Sequence, residues 1–402
     1  MVERDATILI VGGGICGLTT AIALERYGFE PTVYEAASTY RPVGAGIGLQ
    51  GNAMRVLDRL GLADRVRSAG VTLDTGGVYT PDGRRLFGLV DSEDGTIAPV
   101  TIHRAALQRV LLEELDTTVE TDMECVAVPR TGPPVAQFAD GPTITPDVLV
   151  GADGIGSTVR TAVAPDVSRR PIDAVAYRAV VSADHDPADT MRGLEVWGPG
   201  TFTGRAPVDD SRFYWYATGP RSLTGDATTD EGQVAALHRR FSDYPDPIST
   251  VVDRLDPADL FVTDLADIPS LDRWTRGSVA LAGDAAHGML PFLGQGAAQG
   301  IEDALALAAA LATYDDPPAA LEAYEAERKP RAEWIRDESR RLGRISTISS
   351  PLGCRLRNLA AALVPAPLVD RHRRRVTDPP LPADSFPRTD DVATPDPRPT
   401  TR

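Results

Sequence analysis

Along the chain the apolar positions change period several times, and each change marks an element. Thr7-Ile8-Leu9-Ile10-Val11 is an unbroken apolar run of strand length, as a strand buried on both faces would be. Ile15, Leu18 and Ile22 then recur at helical spacing, and Thr32-Val33-Tyr34 is β-branched and aromatic, as a second strand requires. A βαβ unit over the first 35 residues is the simplest reading. Val56, Leu57 and Leu60 predict helix within residues 52–69, with Gly61 as a terminator. Leu107, Val110, Leu111 and Leu115 predict a helix over residues 104–115. Residues 73–97 and 171–264 have another texture, with Gly, Pro and Asp among alternating runs such as Phe213-Tyr214-Trp215-Tyr216; they predict antiparallel sheet with loops. Residues 299–311 and 319–344 return to helical spacing, first alanine-rich and then charged. Residues 377–402 hold seven prolines and few large apolar side chains, so they read as a disordered tail. No internal repeat is present.

Composition narrows the function. A chain of 402 residues with 42% hydrophobic and 24% charged residues is globular and long enough for two or three domains. Its net charge of −16 repels phosphate backbones, so no nucleic-acid partner is expected. Nothing approaches the run of about 18 apolar residues that a membrane span needs. The start, Met-Val-Glu-Arg-Asp, is not a signal n-region. Cys16, Cys125 and Cys354 lie far apart, which excludes a disulfide framework and suits a cytoplasmic protein. The five histidines include no pair at metal-ligand spacing, so no metal site is expected. Lys329 is the only lysine, which removes lysine-dependent chemistry elsewhere.

Gly12-Gly13-Gly14-Ile15-Cys16-Gly17 satisfies G-x-G-x-x-G between a strand and a helix, with Glu35 ending the next strand. In that setting Gly12 permits the tight turn, Gly14 lets backbone approach a pyrophosphate, and Gly17 lets helix pack on strand. Glu35 can accept from both ribose hydroxyls. Either NAD or FAD fits this much. Cys16 reads as a packing residue. Two later segments decide: Asp147-Val148-Leu149-Val150-Gly151-Ala152-Asp153-Gly154, with Ser157 able to cap a short helix carrying Arg160, and Gly277-Ser278-Val279-Ala280-Leu281-Ala282-Gly283-Asp284, which continues through Pro291-Phe292-Leu293-Gly294-Gln295-Gly296-Ala297.

In this order the three motifs resemble the single-component flavoprotein monooxygenases of the para-hydroxybenzoate hydroxylase fold, and the last looks most like the salicylate-hydroxylase-like branch. The resemblance spans roughly residues 5–345. It implies an α/β fold: a Rossmann-like FAD-binding domain, an inserted, mainly antiparallel substrate domain, and C-terminal helices. The FAD-binding domain would comprise residues 1–72, 98–170 and 265–345, and the substrate domain 73–97 and 171–264. A helical segment, 346–376, would precede the tail at 377–402. It also implies FAD as cofactor, NADPH or NADH as co-substrate, and O2. One oxygen atom would pass through a flavin C4a-hydroperoxide into an aromatic, polycyclic or alkene substrate. By the same resemblance Asp284 holds the flavin ribitol, Arg104 the ribose and phosphate region, and Val126 the adenine. Asp153 serves both nucleotides, Ala36 joins Glu35, and Arg41 with Gly46 lies where the chain wraps the ring. Gly294, Gly296 and Ala297 would open a helix whose N–H groups stabilise negative charge on the reduced flavin. Pro291 would brace the ring; a plain turn proline is the alternative.

On the substrate side Arg205, Tyr214, Tyr216 and Pro291 are the candidates. Tyr214 and Tyr216 point one way from their strand and Trp215 the other. Arg205 is taken to share their surface and to hold a phenolate or carboxylate; core packing competes for the tyrosines. Arg178 reads rather as a staple between domains, and His103 and His287 as structural. Gly48 and Phe292 stand where pyridine- and urate-hydroxylating relatives place a histidine and an aspartate, which favours a larger, more apolar ring system. A monomer or homodimer is expected. The rivals are a halogenase or dehydrogenase and a non-catalytic FAD-fold binding protein. A halogenase would need an active-site lysine and a Trp-x-Trp-x-Ile-Pro motif, which the chain lacks.

Overall fold

The first apolar run forms the centre of the molecule. In the computed structural model, which describes residues 2–40, 45–91, 96–182, 193–225 and 227–385, Ile8–Val11 is a strand buried at every position. It pairs in parallel with Pro31–Tyr34 on one side and Val148–Gly151 on the other. Val119–Glu120 closes one edge, and Val279–Leu281 with the antiparallel Thr275–Arg276 closes the other, giving six strands. Parallel strands need covered faces. The helix Ile15–Arg26 supplies one cover and packs on the alanine-rich helix Gly296–Thr313, almost all of which is buried. Alanines let the two helices approach closely. The helical stretch 52–69 is two helices, Gly51–Arg59 and Ala63–Ala69, broken where Gly61 takes φ +80°.

The second sheet has seven strands in the order Phe261–Asp267, Arg170–Ser182, Arg212–Gly219, Thr201–Pro207, Gly193–Gly198, Thr75–Tyr79, Arg85–Asp91. All neighbours are antiparallel except Gly193–Gly198 and Thr75–Tyr79. Phe213, Trp215 and Tyr177 turn to the outer face, where Asp230–Phe241 and Ile248–Val252 cover them. These helices lie inside the region read as sheet with loops. Thr229 starts the first of them by accepting from Gly232 N–H at 3.2 Å, and Leu237 and Phe241 fill its buried face. The inner face, with Phe202, Trp197 and Tyr216, looks back toward the first sheet across Leu290 and Phe292. A long helix, Pro317–Ser346, runs beside both sheets and leads into Pro351–Leu363 and Ala366–Thr377. Among the described residues no helix is long and apolar enough to cross a membrane.

The expectation of a disordered tail from residue 377 is corrected for residues 377–385. Thr377 ends a helix, Arg55 pairs with Asp378 at 2.7 Å, Pro382 is buried, and Leu381 and Ala383 pack on the core. Residues 386–402 lie outside the described residues. Truncation after Thr377 is therefore expected to lower stability by about 2–3 kcal/mol, chiefly from re-exposing Leu381 and Pro382. A thermal melt unchanged by the truncation would show that the segment contributes nothing.

Candidate active site: a cavity between two sheets

A cavity of about 1660 Å3 lies between the strand ends of the first sheet and the inner face of the second. The three consensus glycines of the first motif, Gly12, Gly14 and Gly17, each meet a different demand. Gly12 has φ +107°, and a Cβ there would sit 2.4 Å from the Ala152 carbonyl oxygen. A Cβ on Gly17 would lie 1.9 Å from the Gly12 oxygen, so Gly17 seats the helix on the turn. Gly14 differs: a Cβ there would meet nothing within 4 Å. It borders the cavity at the N-terminus of Ile15–Arg26, which no side chain caps and whose first turn holds no acid. A bare approach to unpaired N–H groups and the positive end of a helix dipole is a cradle for a pyrophosphate.

Glu35 is held by backbone: its Oε2 accepts from Gly13 N–H at 2.7 Å and its Oε1 from Ala37 N–H at 2.8 Å. Ala36 beside it is exposed. Tyr40, absent from the sequence reading, lays its hydroxyl on Gly13. That hydroxyl is buried without a partner, and burial with the nearby Glu35 raises its pKa. Asp153 caps a turn, its Oδ2 accepting from Thr158 N–H at 2.7 Å and Val159 N–H at 3.1 Å, while its Oδ1 is buried without a partner. Burial raises its carboxyl above the usual range. Ser157 accepts from Arg160 N–H at 2.9 Å, and the Arg160 guanidinium ties this turn to the Asp284 segment through Ala285 O at 3.0 Å. Val126 is half-exposed on a separate small sheet and does not border the cavity, and Arg41 lies outside the described residues.

Further along, Asp284, Pro291, Gly294, Gly296 and Ala297 all border the cavity, as do Gly46 and Arg104. Asp284 lines the cavity and is exposed to it, and no hydrogen-bond donor reaches its carboxylate among the described residues. Burial raises its pKa, against the pull of His287 and Arg104. Gly294 takes φ +62° after the short turn Pro291–Leu293, and Gly296 opens a helix that again lacks a side-chain cap. Two uncapped helix N-termini and one free carboxylate thus face a single elongated cavity, and with the partnerless Asp153 Oδ1 they fit an extended dinucleotide. His287 is structural: its Nε2 lies 2.6 Å from Asp303 Oδ2, with both side chains fully buried. His103 likewise caps its helix, accepting from Ala105 N–H at 3.2 Å.

The roof corrects one expectation. Tyr214 and Tyr216 do face the cavity, their rings 5.4 Å apart. Arg205 pairs with Trp215, so it stands on the opposite face, with its guanidinium 4.3 Å from the Phe213 ring. It borders the cavity through its strand but does not share the tyrosine surface. The cation that does is Arg178, which pairs with Tyr216 in register and donates to Thr263 Oγ1 at 2.6 Å. Burial pushes the Tyr214 hydroxyl up to about 12, with Arg178 opposing. Sequence reasoning also missed Glu195. It lies on the inner face and accepts from the Tyr216 hydroxyl at 2.9 Å. Burial pushes its carboxyl up to about 7, with that hydrogen bond opposing. Gly204 makes the contact possible, since a Cβ there would lie 2.4 Å from the Tyr216 hydroxyl.

A buried polar network holds the Pro291–Ala297 segment in place. Gln50 donates to Leu293 O at 2.8 Å, and Gln295 donates to Gln50 at 2.7 Å. Asn52 donates to Glu302 at 2.6 Å. Arg328, 1% exposed, donates to both Glu302 and Asp303. Ser339 donates to Leu290 O at 2.6 Å, and Gly343 leaves room for the Phe292 ring, which meets Phe202 edge-on at 5.5 Å.

Known proteins share this arrangement. The family model described as "FAD binding domain" matches residues 5–339. The aurachin C monooxygenase/isomerase of Stigmatella aurantiaca is 34% identical over 93% of this chain and 98% of its own. A 2-heptyl-3-hydroxy-4(1H)-quinolone synthase of Pseudomonas aeruginosa is 34% identical over 89% of this chain and 94% of its own. The structure of Klebsiella pneumoniae HpxO complexed with FAD and uric acid superposes with a TM-score of 0.82 and 26% identity, covering 94% of this chain and 98% of that one.

Proposed function

The chain belongs to the FAD-dependent monooxygenases of the para-hydroxybenzoate hydroxylase fold, and on that premise we propose how its residues divide the work. FAD, when bound and reduced by NADPH or NADH, would supply the activation of O2, one atom of which enters the substrate while the other leaves as water. The domain division read from the sequence gives FAD the strand ends and the substrate the roof. Gly12, Gly14 and Gly17 shape the pyrophosphate cradle, with Glu35 and Tyr40 on the adenosine ribose. Asp284 accepts from the ribityl hydroxyls. Gly294, Gly296 and Ala297 present N–H groups to developing negative charge, and Pro291 braces the ring. Arg104, beside Asp284, reaches the phosphates. Arg41, Ala36 and Val126 belong to the cofactor's outer contacts.

The substrate is an aromatic or fused heterocyclic ring with apolar substituents, lying between the flavin and the roof. Phe202, Phe292, Leu290 and Trp197 support this, because they exclude water and offer flat contact. The quinolone named in the Pseudomonas relative has this chemistry. Tyr214 and Tyr216 orient the ring, Glu195 takes or holds a proton through Tyr216, and Arg178 steadies negative charge. A cytoplasmic monomer or homodimer fits the composition. The observation that carries this reading is the free Asp284 carboxylate between the two uncapped helix N-termini, in a cavity roofed by the Glu195–Tyr216 pair. Purified protein is expected to be yellow, with about one FAD per chain, and to oxidise NAD(P)H faster when its substrate is present. Colourless protein that cannot be reconstituted with FAD would overturn it.

The pair gives a pH prediction. If ionised Glu195 receives a proton in the rate-determining step, substrate-stimulated activity rises as Glu195 deprotonates, with a midpoint near its raised value of about 7. Glu195→Gln should flatten that limb of the profile and lower kcat by about 100-fold or more, with FAD content unchanged. A midpoint that persists in the variant would assign the ionisation to another group.

A further inference from the structure

Eleven large apolar side chains stand exposed among the described residues, and all but Val126 gather around the cavity mouth and the helix beside it. Leu352, Leu356, Leu359 and Leu363 fall at i, i+4, i+7 and i+11 of Pro351–Leu363, which places them on one stripe. Each is more than half exposed. The stripe is fixed outward, because the opposite face is fastened to the roof. There Arg357 is buried and donates to the carbonyls of Trp197, Gly198 and Ser346. Val364 and Leu368 continue the apolar surface into the next helix and border the cavity.

Charge is segregated with it. Residues 340–377 carry nine arginines and one acid, Asp370, within a chain of net charge −16. Arg344, Arg355 and Arg371 are exposed. An apolar stripe flanked by arginines is the pattern of a helix lying in a membrane interface, leucines among the acyl chains and guanidinium groups on the phosphates. We infer that these two consecutive helices dock the enzyme on an anionic bilayer surface, with the cavity mouth facing the lipid. Its length and composition allow it to lie on a membrane without spanning one. A second copy meeting this face would bring two arginine-rich surfaces together, which their repulsion opposes. Residues 386–402 offer only Phe386 and Val392 as larger apolar side chains, too few to cover the stripe. Docking does not depend on the oxygen-transfer reading; that reading adds only that an apolar substrate would enter from the lipid.

The test is co-sedimentation of the FAD-loaded full chain with vesicles of phosphatidylcholine alone or mixed with phosphatidylglycerol. The mixed vesicles should bind it about tenfold more strongly or better, and added salt should weaken the binding. Leu359→Ser with Leu363→Ser should lower binding about tenfold while flavin content and melting temperature hold. Arg355→Glu with Arg371→Glu should do the same and serves if the leucine variant fails to fold. Wild-type protein that ignores mixed vesicles, or variants that bind as wild type does, would overturn the proposal. So would a dimer in solution that the leucine substitutions dissociate while vesicle binding is absent.

Discussion

Replacing Arg328 with methionine is expected to destabilise the protein by about 3–5 kcal/mol, the cost of stranding buried charge. The guanidinium sits between Glu302 and Asp303 and reaches the Gln299 side-chain oxygen at 2.8 Å. Methionine fills much of the volume and deprives two buried carboxylates of a shared counter-charge, the main one for Glu302. Glu302 keeps Arg331, and Asp303 keeps His287 and Gly283 N–H. Although burial pushes the Asp303 carboxyl up, His287 and Arg328 hold it down at about 2. The sign follows: its folded value lies below its unfolded value, so its stabilisation is present above about pH 4 and is lost as pH falls toward 2. In the variant that acid loss should begin at higher pH. Urea melts at neutral and acid pH would measure both effects. A change below about 1 kcal/mol would mean the network relaxes around methionine.

Asp284→Ala should weaken FAD retention by about 10–150-fold, the loss of one hydrogen bond to a charged acceptor. The apoprotein should fold as before, because the carboxylate has no protein donor to lose among the described residues. Open to the empty cavity, the carboxylate keeps its water in the apoprotein, so the apoprotein's melting temperature should hold. Asp284→Asn, which keeps an acceptor without the charge, should fall between. Fluorescence titration of apoprotein with FAD gives the affinities. Equal affinities in all three proteins would remove Asp284 from the cofactor site.

How much of this was written locally in the chain depends on the range of the signal. The glycine turn, the strand before it and Glu35 all lie within 30 residues, and their demands are steric, so they were readable. The placement of Arg205 failed for a different reason. Alternation fixes faces within a strand, but relating Arg205 to Tyr214 requires the register between two strands. The turn at residues 209–211 sets Arg205 opposite Trp215, and that pairing turns it outward. Arg178 reaches the tyrosine face through pairing across some 40 residues, which no local pattern encodes. Glu195 sits in a strand whose neighbours do not reveal its burial. Arg328 is one of many charged residues on a long helix, and only packing shows which of them points inward. The docked tail hides behind prolines because only a few scattered contacts, Asp378, Leu381, Pro382 and Ala383, hold it.

The long helix Pro317–Ser346 touches the site at two separate heights. Arg328 anchors one, and Ser339 with Gly343 anchors the other against Leu290 and Phe292. Between Arg328 and Gly343 run about four turns, roughly 22 Å. The helix therefore works as a ruler laid across the enzyme, and its graduation is the residue count. Adding or deleting one residue between the marks would swing the far anchor by about 100° around the axis. Substitutions on its outward side leave that count unchanged, whereas the distance between the marks is fixed by the helix Gly296–Thr313 and the Leu290–Phe292 segment that it ties together.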